Sequence, residues 1–194
     1  MAVQSTTERG DTRRTHILDA ARVCFLRDGF HATSMQDLLR KTGLSAGAFY
    51  RYFPSKESLV LAIAMTTLAE ISSVLDAAST EGPPPLRDAL RRVMHAMEQI
   101  DIRHGTPRIA VQLWGEAQRN PELSKVMTEA FSSVVDWFEG VVAAQQTHGN
   151  LPAASARNRA RVLAGLVQGF MVQRALFGTR ASDYCEGLTT GYDS

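Results

Sequence analysis

At 194 residues with 44% hydrophobic and 21% charged content, the chain can bury one good core and is expected to form a small domain joined to a larger one. Cys24 and Cys185 lie far apart without metal-type partners nearby, and no signal peptide or apolar run of about 18 residues is read. These features exclude a disulfide framework, a secreted chain and a membrane protein as expectations, and make a reduced cytoplasm the expected setting. The net charge of +1 is unevenly spread: residues 1–58 carry nine Lys or Arg against six Asp or Glu, the remainder twelve against fourteen.

Residues 1–10 are polar, and order is expected from about Asp11. Ile17, Ala20, Ala21, Cys24 and Phe25 recur at three and four, which predicts an amphipathic helix from about Thr12 to Asp28, stopped by Gly29. Thr33 followed by Gln36 reads as a capping box opening a second helix with Met35, Leu38 and Leu39 inward. Gly43 can take the left-handed conformation that turns the chain, and Leu44 is the apolar plug of such a turn. Ser45 is placed to cap a third helix of about one and a half turns before Pro54.

That third helix is too short to stand alone. Phe49 and Phe53 are expected in the core, with Tyr50 and Tyr52 turned outward. The small residues Ala46, Gly47 and Ala48 suit close approach to another surface, which in a helix-turn-helix is the DNA major groove. The basic surplus of residues 1–58 lies with this reader, where phosphate would be neutralised. Ser55 is expected to cap a fourth helix, with Lys56 and Glu57 in its first turn and an apolar stripe from Leu59 to Val74.

Three prolines at 83–85 break the chain. Beyond them helical periodicity predicts helices over residues 86–101, after the HGTP turn at 104–107, from Pro121 to about Thr147 and from about Ala154 to Phe177. A short closing helix capped by Ser182 follows. Gly165 and Gly169 allow close helix contact on the last long helix. No alternating strand pattern of useful length appears.

Thr33 to Leu59, with the helix before it, closely resembles the DNA-binding domain of the TetR family of bacterial transcriptional regulators, above all in the run GLSAGAFYRYFPSKESL. The resemblance covers about residues 11–71. Alanines are frequent in the family where this chain has Leu39, Lys41 and Thr42, and lysine where it has Ala46. The resemblance implies an all-α homodimer of about nine helices per chain. Residues 11–71 would be the helix-turn-helix DNA-binding domain, three of its helices reading DNA, and residues 72–194 a helical ligand-binding and dimerisation domain. Tyr50, Tyr52 and Lys56 match phosphate-contacting positions, Thr33 with its neighbour Ser34 matches the start of the second helix, and Ser45 to Ala48 match the base-facing stretch, with Arg51 at its edge. The family dimerises through its last two long helices, which would place Gly165, Gly169 and Phe170 at the interface. LWGEAQRNPEL, at 113–123, resembles a segment of one subgroup of TetR-type C-terminal domains.

Met94, Met97, Trp114, Phe131 and Met171 are candidate pocket residues, because methionines and aromatics adapt to irregular apolar ligands; the same stripe also suits plain core. Glu98, Asp101, Gln112 and Gln168 are the polar groups expected near that space. His95, Glu98 and His104 lack the second ligand pair of a recognisable metal site, and no cofactor motif, phosphate-binding glycine loop or nucleophile elbow is found. The expected function is a ligand-responsive repressor. Its homodimer would bind a near-palindromic double-stranded DNA operator, with readers about 34 to 36 Å apart, and be released by a small, largely apolar effector. A helical sensor or carrier with a vestigial helix-turn-helix is the second reading. An enzyme is the third, with no catalytic residue to nominate.

Overall fold

Glycine punctuation and side-chain caps set the first helices. The computed structural model describes residues 6–79, 84–145 and 153–190, and among these every regular element is helical. Helix α1 spans Thr6–Ala32, so it begins six residues before the expected start near Thr12; residues 1–5 lie outside the described chain. At Gly29 the backbone leaves helical geometry (φ 82°, ψ 166°), a left-handed φ that a glycine adopts without steric cost.

Helix α2 (Met35–Thr42) corrects the expected cap by one residue: Ser34, not Thr33, is the N-cap. Its hydroxyl accepts from the Asp37 backbone N–H at 3.2 Å, and Asp37 Oδ2 accepts from the Ser34 backbone N–H at 3.0 Å. Thr33 is fully buried and donates its hydroxyl to the Gly29 carbonyl at 2.8 Å. The Ser34 hydroxyl, and then its backbone N–H, hold the Asp37 carboxyl below the usual carboxylate range. A folded-state pKa below the unfolded one stabilises the fold above the unfolded value of about 3.9, and that stability is lost as pH falls through the folded value. Asp37→Asn is therefore expected to flatten the acid side of the stability profile, read as urea midpoints between neutral pH and pH about 3; an unchanged profile would contradict the box.

Gly43, at φ 66°, closes α2, and its N–H bonds the Leu39 carbonyl at 3.0 Å. Helix α3 (Ala46–Tyr50) is one short turn capped by Ser45, whose Oγ accepts from the Ala48 N–H. What holds it is burial. Phe49 and Phe53 are fully inside with Phe25, Leu38, Leu59 and Ile63, and the Arg14 guanidinium lies 5.3 Å from the Phe53 ring centre. Helix α4 (Lys56–Ala78) opens with a reciprocal Ser55–Ser58 cap. Its own backbone N–H and the Ser55 hydroxyl keep the Glu57 carboxyl low.

By length and composition α4 could cross a membrane, with mean hydropathy 1.8 over its most apolar stretch, which corrects the expectation that no such stretch exists. Its Leu59, Ile63, Ala64, Val74 and Leu75 are instead buried in the protein's own core.

The chain divides into two compact units, Met1–Thr66 and Thr67–Ser194. In the second, α5 (Leu86–His104) and α6 (Thr106–Ala117) meet at Gly105, φ 65°, and α7 (Pro121–Gln145) lies along α8 (Ala153–Phe177). Helix α9 (Ala181–Thr190) closes the unit against α5. It starts one residue before Ser182, whose hydroxyl bonds Asp183, so the expected cap is displaced. Met94, Met97, Phe138, Ala160, Ala164 and Phe170 form the fully buried centre.

Candidate DNA-reading face and ligand cavity

In the first unit Ser34, Ser45, Ala46, Gly47, Tyr50 and Arg51 are exposed, while Ala48, Tyr52 and Lys56 are half-buried. A Cβ built on Gly47 meets nothing within 4 Å, so this stretch of α3 faces open space. The Lys56 ammonium reaches the His31 carbonyl at 3.3 Å, which fixes its stem over the end of α1. Two of the three donors of an ammonium remain beyond that one bond. Thr33 leaves the expected phosphate-facing set, because its buried hydroxyl is committed to Gly29.

In the second unit, side chains of α4 from Thr67 onward, with α5 to α8, wall a cavity of about 460 Å³, within the range of small-molecule sites. Of the expected ligand residues, Met97, Trp114, Phe131, Gln168 and Met171 line it. Met94, Glu98, Asp101 and Gln112 are not among its described walls. Met94 is core, its sulfur 3.8 Å from Cys185 Sγ. Glu98 and Asp101 both hold Arg174, at 2.8 and 2.9 Å, and Asp101 also takes Arg108 at 3.2 Å. Gln112 is half-buried on α6.

Sequence reasoning missed Asp76, Met127, Ser133 and Trp137 in the wall. A signal existed for the first, since Leu68, Ser72 and Asp76 recur every four residues on one side of α4, and all three line the cavity. Of the histidine–glutamate trio, His95 is exposed, Glu98 serves Arg174, and His104 Nδ1 lies 3.1 Å from Glu70 Oε1. Glu70 also accepts the Thr106 hydroxyl, so one α4 carboxylate touches both sides of the Gly105 bend.

Two of the three expected interface residues are used within the chain. Phe170 is fully buried, its ring 5.4 Å from that of Tyr184, and a Cβ on Gly169 would lie 3.1 Å from Tyr184 Oη. The missing side chain at Gly169 thus makes room for α9. Gly165 is exposed with open space before it, and on the same side of α8 Val162 and Leu176 are 66% and 62% exposed.

Residues 17–63 match the family model for bacterial regulatory proteins of the tetR family, and residues 85–184 match the C-terminal model for BetI-type transcriptional repressors. The transcriptional regulator UidR of Escherichia coli (strain K12) is 26% identical over 181 residues, covering 90% of this chain and 88% of that one. The repressor KstR of Mycolicibacterium smegmatis is 29% identical over 135 residues, covering 68% and 58%. Among solved structures, Salmonella enterica GusR superposes with a TM-score of 0.69 at 26% identity, covering 92% of this chain and 94% of that one. A transcriptional regulator from Saccharomonospora viridis in complex with choline gives 0.73 at 19% identity, with the same two coverages.

Proposed function

We propose, for a chain that belongs to the TetR family of bacterial transcriptional regulators, that it is a ligand-responsive repressor binding a near-palindromic operator as a homodimer in the cytoplasm. The observation that carries the reading is the open face of α3. Ser45, Ala46 and Gly47 stand clear of the protein, with Tyr50, Arg51 and Lys56 beside them, on a helix whose other side is anchored by Phe49. Small residues admit the backbone to base edges, and the polar and cationic side chains at the rim supply phosphate contacts. Of the expected pair Thr33 and Ser34, the exposed Ser34 is the contact at the start of α2.

Val162, Gly165 and Leu176 support an α8-centred dimer, since they recur at helical spacing along one side and leave an apolar stripe uncovered in the single chain. Two halves of a palindrome require such a two-fold pair. A sedimentation mass of one chain rather than two would remove that part of the reading.

The effector site is the cavity of the second unit. Its walls include 67, 68, 71, 72, 75 and 76 of α4, the helix that opens at Lys56, so one continuous helix carries both a ligand-facing and a phosphate-facing stretch. Release from DNA then requires that the effector prefer the non-binding arrangement, a coupling of about 1 to 3 kcal/mol; tight binding without that preference would shift nothing. The S. viridis regulator solved with choline is a relative in fold that holds a small organic cation.

Salt-dependent, specific binding to DNA upstream of the chain's own gene tests the function. In that assay Lys56→Ala is expected to weaken binding to all sequences alike and to lower the salt slope by about one unit, because one phosphate contact is lost. Equal affinity and slope would take Lys56 out of the interface.

A further inference from the structure

We infer that the ligand of the second-unit cavity is an apolar molecule ending in an ammonium-type cation, its charge at Asp76 and its hydrocarbon body against Trp114, Phe131 and Trp137. This rests on reading the cavity as the effector site. Among the described lining residues Asp76 is the only ionisable one, and none of them is Lys, Arg or His. An anion entering the cavity would shed water beside a carboxylate, with no described cation to replace that water, a cost that disfavours carboxylate and phosphate ligands against a cation.

A second observation points the same way. Asp76 sits two residues before Ala78, the end of α4, and that last turn carries no basic residue. Carbonyls at a helix C-terminus present partial negative charge, so the helix end and the Asp76 carboxylate act together on a cation. Asp76 is exposed, which puts the charged group at the mouth, where it keeps part of its water.

The walls then fix the rest of the molecule. Trp114, Phe131 and Trp137 bring aromatic rings to the wall; such rings attract cations within about 6 Å of a ring centre and bury hydrocarbon equally well. Met97, Met127 and Met171 add adaptable apolar surface. At about 460 Å³ the space takes a chain or ring system behind the head group, and a bare quaternary ammonium would leave most of it unfilled.

The chain has two tryptophans, Trp114 and Trp137, and both line this cavity, so selectively excited tryptophan emission reports on it directly. The full chain is titrated at low salt with decyltrimethylammonium, 1-decanol, decanoate and tetramethylammonium. The expected result is a saturable change with decyltrimethylammonium tightest, decanoate about tenfold weaker or worse, and no response to tetramethylammonium. Asp76→Asn is expected to weaken decyltrimethylammonium about fivefold while leaving decanol unchanged. Decanol or decanoate binding as tightly as the cation would overturn the inference. So would an Asp76→Asn protein with the parent's affinity for the cation, or no saturable response to any of the four. Operator affinity is scored separately: cation binding that leaves DNA affinity untouched upholds the ligand class and refutes the effector role.

Discussion

Gly47→Leu is expected to abolish specific operator binding while the purified protein keeps its helicity and melting temperature. A Cβ at this position meets nothing within 4 Å, and Gly47 is not among the glycines of positive φ, so a leucine side chain fits the free protein. Glycine is about 0.8 to 1.0 kcal/mol worse than alanine in a helix and leucine ranks just below alanine, so the free state should not lose stability. In the groove the same side chain must displace base edges or hold the helix away from them, and affinity should fall to the nonspecific level, a loss of about a thousandfold or more. Fluorescence anisotropy with labelled operator, alongside circular dichroism melts, separates the two effects. Parental affinity in the Gly47→Leu protein would mean that α3 does not enter the groove.

Arg174→Ala is expected to destabilise the second unit strongly. Arg174 carries two carboxylates from α5, Glu98 and Asp101, and also donates to the Thr179 carbonyl; the three side chains keep only 10 to 16% exposure. Removing the cation strands the Glu98 carboxylate and leaves Asp101 beside it with only the more exposed Arg108. Breaking a buried pair costs about 3 to 5 kcal/mol, and the residual exposure argues for the lower end. For a chain of this size about 3 kcal/mol lowers the melting temperature by roughly 6 to 12 °C. The triple variant Glu98→Gln, Asp101→Asn, Arg174→Met should regain most of that loss, because the one charge that then loses its partner, Arg108, is about half exposed and keeps its water. A drop of under about 2 °C for Arg174→Ala would mean that water, not the guanidinium, satisfies the carboxylates.

The all-helical architecture was legible because each helix announces itself locally. Apolar spacing, Gly29 and Gly43 at the chain reversals, and Ser45 and Ser55 at helix starts are all near-neighbour effects. Errors arose where two neighbours compete for one role. Thr33 and Ser34 can both cap, and the reciprocal partner at Asp37 decides for Ser34. The outward turn of Ser45, Ala46, Gly47 and Tyr50 was legible for the same reason, as they lie within one short run.

The second unit hid its chemistry because its partners are distant in sequence. Glu98 and Asp101 look like free polar groups until Arg174, more than seventy residues on, is brought against them. Phe170 and Gly169 look outward-facing until Tyr184 of α9 closes over them. Five of nine expected pocket residues do line the cavity, and these are mostly large apolar groups, for which being in the core and lining a hole in it are nearly the same property.

The anchoring of α3 separates two tasks that many binding elements combine. Phe49, fully buried, and the Ser45 cap hold the helix, whereas Ala46 and Gly47 touch solvent and support nothing. Substitutions at 46 and 47 are therefore nearly free of stability constraint, and on the proposed reading of α3 a lineage could change its DNA address in single steps without passing through a poorly folded ancestor. Drift at Phe49 has no such freedom, so on the same reading gene duplicates of this chain would acquire new operators by change at the two outward positions while the scaffold beneath them stays as it is.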